Sequence, residues 1–406
     1  MPHSSPGALK RVLLLKRRPV QQVQPAFGMR GFGMAEVPTP LGVQVEVQDV
    51  SPKDLADMQR DSDVEIAVEE MPLELIKPFD SANPNAVEGP GPVWGIEAIK
   101  ASSSPFTGQG VIIAVLDTGI DKTHAAFTGV QIEGKNFTDG DPADFNDVNG
   151  HGTHCAGTIF GRDVDGKRIG VARGIEKVLI GKVLGPGGGS TATLLDSINW
   201  AVQNKAQIIS MSLGMDLVGL RERLVQQGVH PKAATSDAMR ILINNVRFFD
   251  KFGGMLRSGA AFGRSALVIA ATGNESQRVG ESTYTLGAAF PAETEDFLSV
   301  GAVERTDDPD QPYRIAEFSN AGAKLAAPGV DILSAAPGGG LVLKSGTSMA
   351  TPHIAGLAAL WVQKLKSKPG PISADKIMQS LRSSAKLTDG LDEADVGDGI
   401  PQAPQK

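Results

Sequence analysis

Gly110-Val111-Ile112-Ile113-Ala114-Val115-Leu116-Asp117-Thr118-Gly119 is a run of six apolar residues between a glycine and an acid. Such a run suits a strand buried on both faces of a parallel sheet. Functional groups in sheets of this kind gather beyond the carboxyl ends of the strands, which is where Asp117 falls. Val178 to Leu184, Gln207 to Leu213, Ala266 to Ala271 and Leu298 to Val303 also read as strands, and Thr191 to Gln203 reads as a helix between two of them. The alternation predicts an α/β fold with a doubly wound, mainly parallel sheet.

Two further stretches carry reactive groups into this frame. Asn149-Gly150-His151-Gly152-Thr153-His154-Cys155-Ala156-Gly157 sets His151 at the start of a small-residue helix. Ser345-Gly346-Thr347-Ser348-Met349-Ala350-Thr351-Pro352-His353 leads directly into the apolar run Ile354 to Val362 and puts Ser348 at a helix mouth. Unpaired backbone N–H groups there can hold the negative oxygen formed when a carbonyl is attacked. Pro352 is expected to fall in the first turn, where no N–H is lost. A capping role for Thr347 or Ser348 is the competing reading of this segment.

These residues resemble the subtilisin-like serine peptidases, whose Asp-Thr-Gly, His-Gly-Thr-His and Gly-Thr-Ser-Met-Ala-Thr-Pro-His motifs stand intact in the same order. The resemblance runs from about Pro92 to the C-terminus. It implies an Asp117, His151, Ser348 triad and an oxyanion hole made by the Asn274 side chain and the Ser348 N–H. It also implies that Gly187, Gly188 and Gly189 pair with an extended substrate on one side, and Ser212, Leu213 and Gly214 on the other. Ala271, Thr272 and Gly273 would form the opposite pocket wall. These small walls, with Ala289 near the floor, suggest an apolar side chain at the cleaved residue. Gly185 to Ser190 lacks the Gly-Lys-Ser/Thr ending of a phosphate loop, so a nucleotide site is rejected.

At 406 residues and 41% apolar content the chain has room for one large domain plus a smaller unit. A net charge of -7, spread without long like-charge runs, gives no electrostatic case for nucleic acid or an anionic membrane. The single Cys155 excludes an internal disulfide and reads as a small buried residue. Val12 to Leu15 is too short for a signal core, and no run approaches a membrane span, so a cytoplasmic location is favoured. No cofactor is required for the chemistry and no metal ligand set is matched. His151 and His154 lack a third zinc ligand, Ala126 and Ala326 stand where calcium carboxylates are sought by analogy, and Asp139, Asp141, Asp144 and Asp147 read as a solvated loop.

The chain divides into a loose tail (1–10), a small α+β unit (11–77), a Pro/Asn/Gly-rich linker (78–91) and the catalytic domain (92–406). The small unit, with strands at Arg11 to Leu15, Val43 to Val47 and Val64 to Val68 and a helix from Pro52 to Met58, looks like the inhibitory prodomain of the family. Its end is expected to lie extended in the cleft, with self-processing between about Lys77 and Gly89. An unrelated interaction domain is the alternative. An insertion at about 215–262 holds an amphipathic helix starting near Thr235 and is expected to border the cleft. The function expected is a serine endopeptidase acting on polypeptides. A catalytically silent peptide-binding relative would show a broken triad, and a lipase or esterase a different motif and order.

Overall fold

A computed structural model describes residues 9–17, 43–80, 90–259 and 265–406. The small unit begins with β1 (Lys10–Arg17) and β2 (Val43–Val50), continues through α1 (Pro52–Met58) and closes with β3 (Val64–Glu69). Its antiparallel sheet has the order β2-β1-β3. Ser51 and Asp54 form a reciprocal capping box that starts α1, with Pro52 in the first turn. Alternate residues of β1 face opposite ways. Val12 and Leu14 pack with Leu55 under α1, whereas Leu13 and Leu15 join a core shared with the catalytic domain.

Two short strands follow, β4 (Pro72–Leu75) and β5 (Phe79–Asp80). Part of the expected linker is therefore structured, since Phe79 and Asp80 pair with Ser345 and Lys344. Residues 81–89 of that linker, 1–8 of the expected tail and 260–262 of the expected insertion lie outside the described residues.

The catalytic domain opens with β6 (Gly91–Pro92), α2 (Trp94–Ala98), β7 (Ile112–Asp117), β8 (Gln131–Asn136) and α3 (His151–Phe160). Next come β9 (Lys167–Arg168), β10 (Lys177–Lys182), β11 (Gly189–Ser190), α4 (Thr191–Gln203), β12 (Ile208–Met211) and β13 (Leu213–Met215). The insertion forms α5 (Leu217–Gln226) and α6 (Pro231–Ser258), before β14 (Leu267–Ala271), β15 (Leu298–Arg305) and β16 (Tyr313–Ile315). Towards the C-terminus follow β17 (Leu325–Pro328), β18 (Ile332–Ala335), β19 (Leu341–Ser345), α7 (Thr347–Lys366) and α8 (Ala374–Ser384).

The main sheet runs β16-β15-β14-β12-β7-β10-β8, with β17 also paired to β15. Every pairing in it is parallel except β15 with β16. Both faces are covered, which explains why β7 is apolar without alternation. Ile113 and Val115 join the core under α3 and α7, while Ala114 and Leu116 join the one under α4 and α6.

Two expectations change. The insertion holds two helices, and the second starts at Pro231 rather than near Thr235. The earlier start follows from His230, whose ring accepts from Lys232 N at 3.3 Å, and from Pro231, which suits a first helical position. The first helix has Leu217, Leu220 and Leu224 at helical spacing and is capped by Asp216 through Gly219 N at 2.6 Å, but none of its residues is buried. Pro352 also sits beyond the first turn of α7. The carbonyl that residue 352 would bond in a helix is that of Ser348, and it accepts from the Cys155 thiol at 3.3 Å instead. Cys155 thus does more than fill space.

Candidate active site

The carboxyl end of β7 delivers Asp117, and the first residue of α3 delivers His151. Both are buried, and His151 Nδ1 lies 2.7 Å from Asp117 Oδ1. The same oxygen accepts from Thr118 N at 2.7 Å, which fixes the carboxylate against its own turn. Gly150 precedes the helix at φ 93, and a side chain on Gly152 would meet the Gly119 carbonyl at 2.2 Å, so the two loops approach at backbone contact.

Ser348 occupies the second residue of α7, with Gly346 as N-cap and no side-chain cap. A pure capping role is therefore not what Ser348 does here. Its Oγ donates to the carbonyl of Ile76 at 3.0 Å. Asn274, just beyond β14, accepts at Oδ1 from Thr347 N and from Thr347 Oγ1, both at 2.8 Å. Two donors on one oxygen fix the amide so that Nδ2 points into the cleft. There it donates to the carbonyl of Lys77 at 2.9 Å.

The cleft is filled by the end of the small unit. β4 lies antiparallel between β11 and β13, with Gly189 opposite Leu73, and Leu213 and Gly214 opposite Leu75 and Glu74. Ile76 N extends the pairing by donating to Ser212 O at 3.4 Å. A side chain on Gly188 would stand 2.5 Å from the Leu73 carbonyl, so the glycine permits the approach. Ile76 is buried at 3% exposure, and a side chain built on Gly214 would be 3.9 Å from it and 3.7 Å from Ala289. An apolar residue thus occupies the pocket whose walls suggest one. Thr272, between Ala271 and Gly273, supports that pocket through its carbonyl, which accepts from Ala289 N at 2.8 Å. Gly187 is exposed at the turn before the paired residues.

The geometry agrees with relationships to known proteins. The subtilase family profile matches residues 108–399. The chain belongs to the subtilase family. This subtilase is 31% identical over 355 residues to alkaline serine exoprotease A of Vibrio alginolyticus, covering 84% of the chain and 56% of that protein. It thus spans little more than half of the Vibrio relative. It is 36% identical over 275 residues to an intracellular serine protease of Paenibacillus polymyxa, covering 66% of the chain and 71% of that protein. Subtilisin E of Bacillus subtilis is 32% identical over 276 residues, or 67% of the chain and 61% of that protein. The first two are named as serine proteases and the third as a subtilisin.

Among the described residues, one trio could converge on a metal: Asp117, His151 and Cys155. It does not suit one. Its atoms are already engaged: His151 Nδ1 meets Asp117 Oδ1 at 2.7 Å, and the Cys155 thiol, which burial pushes well up, donates to the Ser348 carbonyl at 3.3 Å. Of the acidic loop, Asp139, Asp141 and Asp144 are exposed as expected, but Asp147 is buried at 3% exposure. That corrects its reading as solvated. Its partners are backbone N–H groups and threonine hydroxyls of the active-site loops, a role invisible in an unpatterned Asp-Val-Asn-Gly sequence. His154 is no ligand either; its Nε2 lies 2.9 Å from Ile332 O.

Proposed function

We propose that this subtilase cuts extended polypeptides through an acyl-enzyme on Ser348, and that its N-terminal unit holds it silent until removed. His151 takes the Ser348 proton during attack and returns it to the leaving amine, while Asp117 fixes the ring's tautomer and steadies its positive charge. Asn274 Nδ2 and the Ser348 N–H stabilise the oxyanion. The observation that carries this reading is the antiparallel seat of β4 between β11 and β13, ending with Ile76 and Lys77 over Ser348 and Asn274. It is the arrangement an extended substrate would need.

The same strand supports the inhibitory reading. Attachment makes the occupation intramolecular, so moderate intrinsic affinity suffices to block the cleft. Removal through a cut between about Lys77 and Gly89 would end that advantage. The substrate preference proposed is apolar at the cleaved residue, on the strength of Ile76 beside Ala289. No helix among the described residues is long and apolar enough to cross a membrane. The naming of the Paenibacillus relative supports an intracellular site of action.

A serine-directed phosphonylating reagent tests the assignment. Matured protein should lose its activity on peptide substrates as one adduct forms, mapped to Ser348. Activity that survives complete labelling of Ser348 would remove it as the nucleophile, and no cleavage of any peptide in a random library would favour the silent peptide-binding alternative.

A further inference from the structure

Asp147 accepts five hydrogen bonds, from Thr118 Oγ1 at 2.9 Å, Asn149 N at 3.0 Å, Gly150 N at 2.8 Å, Thr153 N at 2.8 Å and Thr153 Oγ1 at 2.7 Å. A carboxylate offers about four lone-pair sites, so this one is saturated. Its donors come from two places only. Thr118 lies on the turn that follows Asp117, and Gly150 and Thr153 bracket His151 at the head of α3. The threonines extend the lock. Thr118 Oγ1 accepts from Gly152 N at 2.9 Å, and Thr153 Oγ1 accepts from Asp121 N at 2.9 Å. The turn after β7 and the first turn of α3 are thereby bonded to each other through one carboxylate and its two hydroxyls.

We infer that Asp147 is a positioning residue for the reaction, holding Asp117 and His151 at their 2.7 Å contact by bonding both segments that carry them. It touches neither substrate nor Ser348. It acts through the orientation of the His151 ring, by tying the head of α3, whose N-cap glycine offers no side-chain cap, to the turn that carries Asp117. Both oxygens matter. Oδ1 serves Thr118, Asn149 and Gly150, whereas Oδ2 serves Thr153 alone. An amide at this position keeps one oxygen but must present N–H groups to donors on the other side. Misplacement of a catalytic group by about 1 Å can cost on the order of 100-fold in rate.

The inference rests on the proposed triad, and its test separates the two. Full-length protein is allowed to mature, its active sites are titrated with the phosphonylating reagent, and kcat and KM are measured for Asp147→Asn, for Thr118→Val and for Asp139→Asn as an exposed control. Both buried variants should lose on the order of 100-fold in kcat with KM within about twofold, and the control should match wild type. In full chains kept unmatured by Ser348→Ala, the far-downfield proton resonance of a histidine N–H bonded to a carboxylate should shift or broaden when either buried substitution is added. If Asp147→Asn fails to fold, Thr118→Val alone decides. Variants with lowered melting temperature but wild-type kcat and an unmoved downfield proton overturn the positioning role. A wild-type enzyme without peptidase activity overturns the triad reading, which the downfield proton does not depend on.

Discussion

Ser348 Oγ donates to the carbonyl of Ile76 at 3.0 Å, while His151 Nε2 is buried without a hydrogen-bond partner among the described residues. The Ser348 hydroxyl therefore points at the occupying strand rather than at the imidazole proposed to take its proton. Asn274 at the same time serves Lys77, one residue beyond the carbonyl that Ser348 contacts. The Ser348 hydroxyl and the Asn274 amide thus address two different carbonyls of the strand.

Ile76→Asp should release the proposed block. The side chain is buried beside Gly214, where an unpaired carboxylate costs free energy. A loss of about 3 kcal/mol corresponds to more than 100-fold weaker occupation of the cleft. The full-length variant should cleave a chromogenic peptide with a shorter lag than wild type. An unchanged lag would show that β4 does not limit activation.

Asn274→Leu should lower kcat by about 100- to 1000-fold with little change in KM, a figure taken over from subtilisins themselves. Part of the effect is structural, because Asn274 Oδ1 also anchors Thr347 N. Stopped-flow acylation rates and a thermal melt on one preparation distinguish the two. Near wild-type acylation would remove Asn274 from the oxyanion hole.

The insertion responds differently from what its position between the pocket walls suggests. Met215 pairs with Leu73 and Asp216 N donates to Pro72 O at 2.9 Å, so it borders the cleft at its start. Phe248, Phe249 and Phe252 of α6, however, are fully buried in the core under the sheet. α6 also bonds the small unit: Asn245 Nδ2 donates to Glu69 O at 2.8 Å, and Lys251 pairs with Glu65. Removing the whole insertion should therefore prevent folding rather than retune preference. Phe249→Ala should cost roughly 3–5 kcal/mol in chemical denaturation, and a loss below about 1 kcal/mol would contradict its role in the core.

Acid should destabilise the fold through two buried imidazoles. Burial lowers His154 from 6.5 to about 3 and His353 from 6.5 to about 4. Above pH 6.5 both rings are neutral folded or unfolded, and neither affects stability. As the pH falls below 6.5, the unfolded chain binds protons that the folded chain refuses, down to the folded values of about 3 and 4. Each ring then costs up to about 1.4 kcal/mol per pH unit. Urea midpoints for His353→Gln and wild type, measured from pH 7 to 4.5, should converge as the pH falls. Parallel curves would contradict the assignment.

Much of this was legible in the sequence where local pattern and tertiary role coincide. The apolar run into Asp117 became β7, and the glycines at 188 and 189 met a backbone as their lack of a side chain invites. What stayed hidden depends on distant partners. Nothing near Asp147 in the chain says that Thr118 will come to it, and α5, with Leu217, Leu220 and Leu224 at helical spacing, buries none of its residues. Cys155 reads as filler in the sequence because its acceptor, the Ser348 carbonyl left open by Pro352, lies on another helix.

The most direct test is the intact mass and caseinolytic activity of Ser348→Ala beside wild type, each with a thermal melt. Wild type should appear as a shortened, active chain, and Ser348→Ala as the full chain, folded and reduced by about a million-fold in turnover, the magnitude subtilisins lose on this change. A folded Ser348→Ala protein that shortens itself and cleaves casein at near wild-type rate would contradict Ser348 as the nucleophile.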